Sequence, residues 1–409
     1  MNATAPLRVL ILTETFQPEI GGGERQAALL AQGLRRRGHP TLLMTRRSRT
    51  GLPAEAVEDG IRIVRLPPVG AVRHARWGML LYVPAALWRL RRDYDVLLVS
   101  GYRALGIPAV LVGRWLGKPV VLKADSLGEM SGAYFRSGLA RWRLSPDGFL
   151  IRGLLRMRNA LLRRAAAQVA ISGEIEAELL GAGIGPTKVR RIPNGVDTAD
   201  FRPATPEERS RLRGLLGLPP GLVIVYTGRL VSYKGLPLLL DAFRELGDRR
   251  GATLVLVGEG GGDQHNCEAA LREQARAPGL GPRVRFAGAV TRVEDWLRAA
   301  DCYAFPTENE AFGLALVEAM ACGLPAVTTR VGGLADYVEP EVNALVIEPG
   351  DRAALVGALD ALLGDAGLRA RLGAAARDSV CARFGEDAVA SCYEQLFAAL
   401  AAPGREAAG

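Results

Sequence analysis

Short apolar runs alternate along the chain with longer segments of helical period. The first run, Arg8–Thr13, is followed by a loop ending in Gly21-Gly22-Gly23 and by a helical pattern over Glu24–Arg37. Ala27, Ala28, Ala31 and Leu34 share one face of that helix, and Gly38 marks its end. Further strands are predicted at Thr41–Thr45, Ile61–Leu66, Val96–Ser100, Val120–Lys123 and Gln168–Ile171. Continuous apolar runs of this kind suit parallel strands buried on both faces, with helices packed on either side. From Arg191 to Asp197 the pattern breaks into turn chemistry, and Pro203, Pro219 and Pro220 follow. A domain boundary is predicted there, between 1–195 and the residues from 196 onward. Beyond it the alternation restarts. Strands are expected at Leu222–Thr227, Thr253–Val257, Val284–Ala287, Cys302–Phe305, Ala326–Thr329 and Ala344–Ile347, with helices at Leu238–Leu246, Asp295–Ala300 and Leu314–Ala321. The fold class is α/β, with two doubly wound, Rossmann-like domains. Ligands of such sheets bind outside the carboxyl ends of the strands, so two facing sheets would form a cleft.

The length of 409 residues agrees with two domains of about 200 residues each. No apolar run is long enough to span a bilayer, and Leu7–Leu12 is too short for the core of a signal peptide. The five cysteines have no CxxC spacing and are odd in number, which points to free thiols in a reduced, cytoplasmic compartment. Three scattered histidines favour neither a zinc triad nor a Ser/His/Asp hydrolase. The net charge of +9 is unevenly spread. Residues 1–200 hold 30 basic and 16 acidic side chains, a net of +14, whereas the remainder holds 22 and 27, a net of −5. An anionic partner is therefore expected for the first half.

The most informative stretch runs from Thr307 to Pro325, TENEAFGLALVEAMACGLP. It leaves a strand, crosses a polar loop and opens a helix near Gly313, where free N–H groups and the helix dipole favour an anion. Glu318 lies about 7.5 Å further along the axis, a spacing that suits ribose hydroxyls when phosphate sits at the helix start. Glu310, in the loop, can reach a sugar. A second stretch, Val225–Gly235, carries Arg229 and Lys234, which can neutralise a diphosphate leaving group without a metal. Gly21, Gly22 and Gly23 allow close backbone approach of an anionic ligand.

These stretches resemble, in order and over nearly the whole chain, glycosyltransferase family 4 with its GT-B fold. The resemblance includes Ile171-Ser172, Ile192–Asp197, Gly228-Arg229 with Lys234-Gly235, Val257–Gly260, Phe286–Gly288, the Glu310 and Glu318 pair and Gly332-Gly333. It implies a first domain, 1–195, that binds acceptor and a second, 196–380, that binds the nucleotide-sugar. Residues 381–409 are then a C-terminal helix returning to the first domain. It also implies retaining transfer from a nucleotide-diphosphate sugar, with no cofactor and no metal. Arg229, Lys234 and Glu310 are the expected catalytic residues. Donor contacts are expected from Gly21, Gly22, Gly23, Arg229, Lys234, Glu310, Phe312, Gly313, Leu314 and Glu318. The family's histidine after the Val120–Lys123 strand is missing. Asp125 stands near that place, either as a sugar or acceptor contact or as a plain loop carboxylate. A sugar-nucleotide epimerase of the same architecture and a non-catalytic sugar-nucleotide binder are the alternatives.

Val257–Asp263 imitates a dinucleotide loop, but Asp263 stands where the third glycine of GxGxxG belongs. Two further segments, Trp77–Arg92 and Phe149–Arg164, are both basic and apolar. They suit either an anionic membrane surface or a domain core with arginines snorkelling at its edge. Membrane contact would favour a lipid-linked or cell-envelope glycan precursor as acceptor. No nucleic-acid motif accompanies the charge.

Overall fold

The computed structural model describes residues 6–19, 21–70, 75–132, 148–248 and 251–405, with the side chains of 75–77 and 403–405 outside that description. The chain folds as two units. One comprises the residues up to Gly195 together with those from Glu386 onward, and the other is Val196–Gly385.

The first unit is built on eight strands: β1 (Val9–Leu12), β2 (Thr41–Arg46), β3 (Glu55–Glu58), β4 (Ile61–Leu66), β5 (Val96–Ser100), β6 (Val120–Ala124), β7 (Ala167–Ala170) and β8 (Val189–Arg191). Their order is β3-β4-β2-β1-β5-β6-β7-β8, parallel except where β3 runs antiparallel to β4. The strands read from the apolar runs at β1, β5, β6 and β7 are buried along their full length. Two strands carry no such run. Edge strand β3 (EAVE) has no fully buried residue, and β8 (VRR) buries only its valine.

The helix Glu386–Arg405 belongs to this unit because its apolar stripe completes the core. Val389, Tyr393, Leu396 and Phe397 pack with Ala27, Leu30, Ala31 and Leu34 of the helix Gly22–Arg36. Arg37 and His39 both reach Glu394, at 2.6 and 3.1 Å. Residues 381–385, expected with the returning helix, instead end the helix Ala366–Phe384 of the second unit. That helix stays regular until Gly385, where a Cβ would sit 2.8 Å from the Cys381 carbonyl oxygen.

The second unit holds six strands, β9 (Val223–Thr227), β10 (Thr253–Val257), β11 (Val284–Gly288), β12 (Cys302–Phe305), β13 (Ala326–Thr329) and β14 (Leu345–Ile347). They are all parallel, in the order β11-β10-β9-β12-β13-β14. Chain order reverses between β9 and β12, so the loops leaving these two strands flank the crevice where doubly wound sheets bind ligands.

Candidate functional site

Two loops at this reversal are laced together by main-chain contacts. The Glu308 N–H donates to the Tyr233 carbonyl at 2.8 Å, and the Thr307 hydroxyl donates to the same oxygen at 3.2 Å. Gly235 closes the first loop at φ 70°, where a Cβ would lie 1.9 Å from the Pro306 carbonyl oxygen. Only glycine permits that approach. Its consequence is a short ion pair: Lys234 Nζ lies 2.5 Å from Glu310 Oε2, with the side chains 12% and 17% exposed. The ammonium also sits 5.3 Å from the centroids of both the Tyr233 and Phe305 rings.

Arg229 is placed differently. Its guanidinium is 61% exposed, pairs with Asp263 and donates to Tyr233 Oη at 2.8 Å. Both cations thus border the Tyr233 ring, but of the two it is Lys234 that contacts Glu310.

The second loop enters the helix Leu314–Ala321 through Gly313, at φ 86°. A Cβ there would meet Leu334 Cδ2 at 2.3 Å and Tyr337 Oη at 2.7 Å. With no side-chain cap at Gly313, the first N–H groups of the helix are left for an anion. The Phe312 N–H points to Glu310 Oε1 at 3.5 Å, the long limit of a hydrogen bond. Tyr337 Oη donates to the Phe312 carbonyl at 3.0 Å, and the Gly333 N–H donates to the Glu310 carbonyl at 2.9 Å. The Phe312, Tyr337 and Phe384 rings pack on one another, tying this loop to the last helix of the unit. Glu318 is buried in the helix, and its charge adds to burial in pushing the Tyr303 phenol and the Cys322 thiol upward.

Burial holds the Tyr226, Tyr303 and Tyr337 phenols far above their ordinary range. Each therefore stays a neutral hydrogen-bond donor. Tyr226 donates to the Arg229 carbonyl at 2.9 Å and Tyr303 to the Thr227 carbonyl at 3.3 Å. These braces, with Tyr233 and Asp263, escape sequence reading. Tyr226 and Tyr303 look like strand filling, Tyr233 and Tyr337 fall in loop segments, and Asp263 appears only as the residue that spoils a glycine motif.

Gly21–Gly23 and Asp125 lie in the first unit. The helix Gly22–Arg36 begins there with an extended Gly21 and no side-chain cap. The Glu24 carboxylate in its first turn accepts from the Thr15 hydroxyl. Asp125 follows β6. Lys123 and the Ser100 hydroxyl, the latter at 2.7 Å, hold its carboxylate, which is still 23% exposed. Beside it Glu129 is fully buried and paired with Arg103 at 3.3 Å. Burial, and then the Asp125 charge, push its carboxyl up to about 7.

Residues 20–200 match the family described as Glycosyltransferase Family 4, and residues 216–379 match Glycosyl transferases group 1. A D-inositol 3-phosphate glycosyltransferase of Xylanimonas cellulosilytica is 31% identical over 97% of this chain and 98% of its own. The lipopolysaccharide core biosynthesis mannosyltransferase LpsB of Rhizobium meliloti is 30% identical over 73% of this chain and 95% of its own. Among solved structures, Anabaena HepE in complex with UDP and glucose superposes with a TM-score of 0.75 at 22% identity, covering 95% of this chain and 99% of that one.

Proposed function

Because the chain belongs to glycosyltransferase family 4 and has the GT-B fold, we propose that it transfers a sugar from a nucleotide diphosphate to an acceptor with retention of configuration. The observation that carries this reading is the Lys234–Glu310 pair beside the uncapped helix start at Gly313. A donor diphosphate seated against that helix start would share the Lys234 ammonium, with Arg229 swinging from Asp263 to complete the charge. The bond between the anomeric carbon and the phosphate oxygen breaks, and the electron pair leaves with the diphosphate. The acceptor oxygen then bonds to the same face of the carbon, and its proton passes to the departing phosphate oxygen. Glu310 orients the sugar, Phe312, Gly313 and Leu314 offer backbone contacts, and Glu318 accepts the ribose hydroxyls. Lysine, arginine and helix dipole meet the diphosphate charge, so transfer is expected to persist in EDTA.

The HepE complex supports a nucleotide-sugar donor. The lipopolysaccharide-core relative supports an envelope-glycan acceptor; a lipid-linked acceptor would be met at the cytoplasmic membrane face. The same reading assigns Gly21–Gly23 to donor contacts and Asp125 to a sugar or acceptor contact. Thermal-shift screening with UDP-, GDP- and ADP-sugars tests the donor. NMR of the product with the stabilising donor then tests the anomeric outcome. Inverted product refutes retention, and isomerisation of donor without acceptor would make the protein an epimerase instead.

A further inference from the structure

Three helices of the first unit lie side by side. Ala75–Arg89 packs on Gly106–Trp115, which packs on Phe149–Leu162. Each buries one side in the unit, through residues such as Met79, Val83 and Leu87 on the first and Ala109 and Val110 on the second. Their outer sides are apolar as well. Leu81 is 80% exposed, Trp115 69%, Leu150 73% and Met157 68%, whereas a role in the core would bury them. The Trp88 and Trp115 rings stack at 4.4 Å, joining the first two helices into one outer surface. On the third helix Leu150, Leu154 and Met157 fall at i, i+4 and i+7 in one row, while Arg152 and Arg156 stand on the opposite flank of its exposed side, roughly 150° round the axis. The side chain of Trp77, on the first helix, lies outside the described residues.

Charge decides what this surface fits. None of the three helices contains an aspartate or glutamate; Arg89 meets Glu55 of β3 at 3.5 Å, whereas Arg114, Arg152 and Arg156 are exposed along them and Arg163 and Arg164 follow directly. Among the described residues no helix is long and apolar enough to cross a membrane. Apolar and indole side chains flanked by arginines, with no acid on the helices themselves, match an interface whose surface is anionic and whose interior is hydrocarbon. We propose that this face docks the protein on a bilayer rich in anionic phospholipid, with the arginines at the headgroups and Leu150, Leu154 and Met157 beneath them. It is distinct from the donor site and does not depend on it.

Cosedimentation of the full chain with vesicles tests this. Binding is expected to phosphatidylcholine vesicles that contain phosphatidylglycerol, with release at high salt, and not to phosphatidylcholine alone. Each arginine near an anionic surface is worth roughly fivefold in partitioning. The combined Arg152→Gln, Arg156→Gln and Arg164→Gln variant should therefore bind about a hundredfold more weakly, with its circular dichroism and donor thermal shift unchanged. Leu150→Ser with Leu154→Ser, both at exposed positions, should also release the protein. Equal binding to neutral vesicles, or binding to neither, overturns the proposal. So does a dimer in solution that the two leucine substitutions dissociate, since a second copy would then be what covers this face.

Discussion

Replacing Lys234 by methionine removes the charge while keeping most of the side chain's length. The partner left behind, Glu310, is only 17% exposed, and the other contact found for its carboxylate is a 3.5 Å approach from the Phe312 N–H. Breaking a fully buried pair from one side costs about 3–5 kcal/mol. With more than a tenth of each side chain exposed, solvent screening lowers this, and a loss of about 2–3 kcal/mol in urea unfolding is expected. A second change, Glu310→Gln, removes the stranded charge and should bring stability back to within about 1 kcal/mol of the parent. Turnover should behave differently. A cation bonded to the leaving diphosphate contributes roughly 1.5–3 kcal/mol, so sugar transfer falls about ten- to a hundredfold in Lys234→Met. Because the double variant still lacks that cation, its stability recovers and its transfer does not. A double variant that regains both, or a single variant as stable as the parent, refutes the reasoning.

Arg229→Ala should cost almost nothing in unfolding experiments, because the guanidinium is 61% exposed, but it should slow transfer about ten- to a hundredfold. Gly313→Ala forces a side chain into the left-handed region, at about 1–2 kcal/mol, and against Leu334 and Tyr337. A total loss of about 2–4 kcal/mol, together with loss of donor-induced thermal stabilisation, is expected. Glu318→Gln should raise the donor dissociation constant in calorimetry with little change in kcat; an unchanged affinity removes the ribose role. Glu129 gives a pH signature. Burial pushes its folded-state carboxyl up to about 7, whereas the unfolded chain titrates near 4.5. The folded state therefore keeps a proton that the unfolded state releases. This contribution to stability is fully present below about pH 4.5 and is lost as pH rises toward 7. Unfolding of Glu129→Gln across that window should lack this decline.

Most of the fold was legible because parallel strands buried on both faces must be continuous apolar runs, and such runs leave a plain trace. VLIL at β1, VLLVS at β5 and TLVLV at β10 need no knowledge of their neighbours. The strands that escaped notice, β3 and β8, are held by pairing to β4 and β7 and not by their own composition. For β3 that pairing crosses only the tight Asp59-Gly60 turn and for β8 it reaches back to β7, so neither strand shows as an apolar run of its own. The boundary expected before residue 381 falls inside the helix Ala366–Phe384, because no proline interrupts the helical pattern there and the helix runs on to Phe384.

The same distinction separates what could and could not be read at the candidate site. Residue types that meet a diphosphate, and loops that leave adjacent strands, are local facts, so Arg229, Lys234 and Glu310 could be picked out together. Their partners are not local. Lys234 is 76 residues from Glu310 and Arg229 is 34 from Asp263, and only the order of β9, β10 and β12 decides which carboxylate each cation finds. That order gives the two cations unequal duties. Lys234 is held between loops that cannot separate without losing the Gly235–Pro306 approach, so it is preorganised and its removal is felt in folding. Arg229, at the solvent edge, holds an exchangeable carboxylate. A preorganised cation can stabilise charge as it develops without reorganising, whereas an exposed one must first change partners. The prediction that only Lys234 couples stability to turnover follows from this difference in burial.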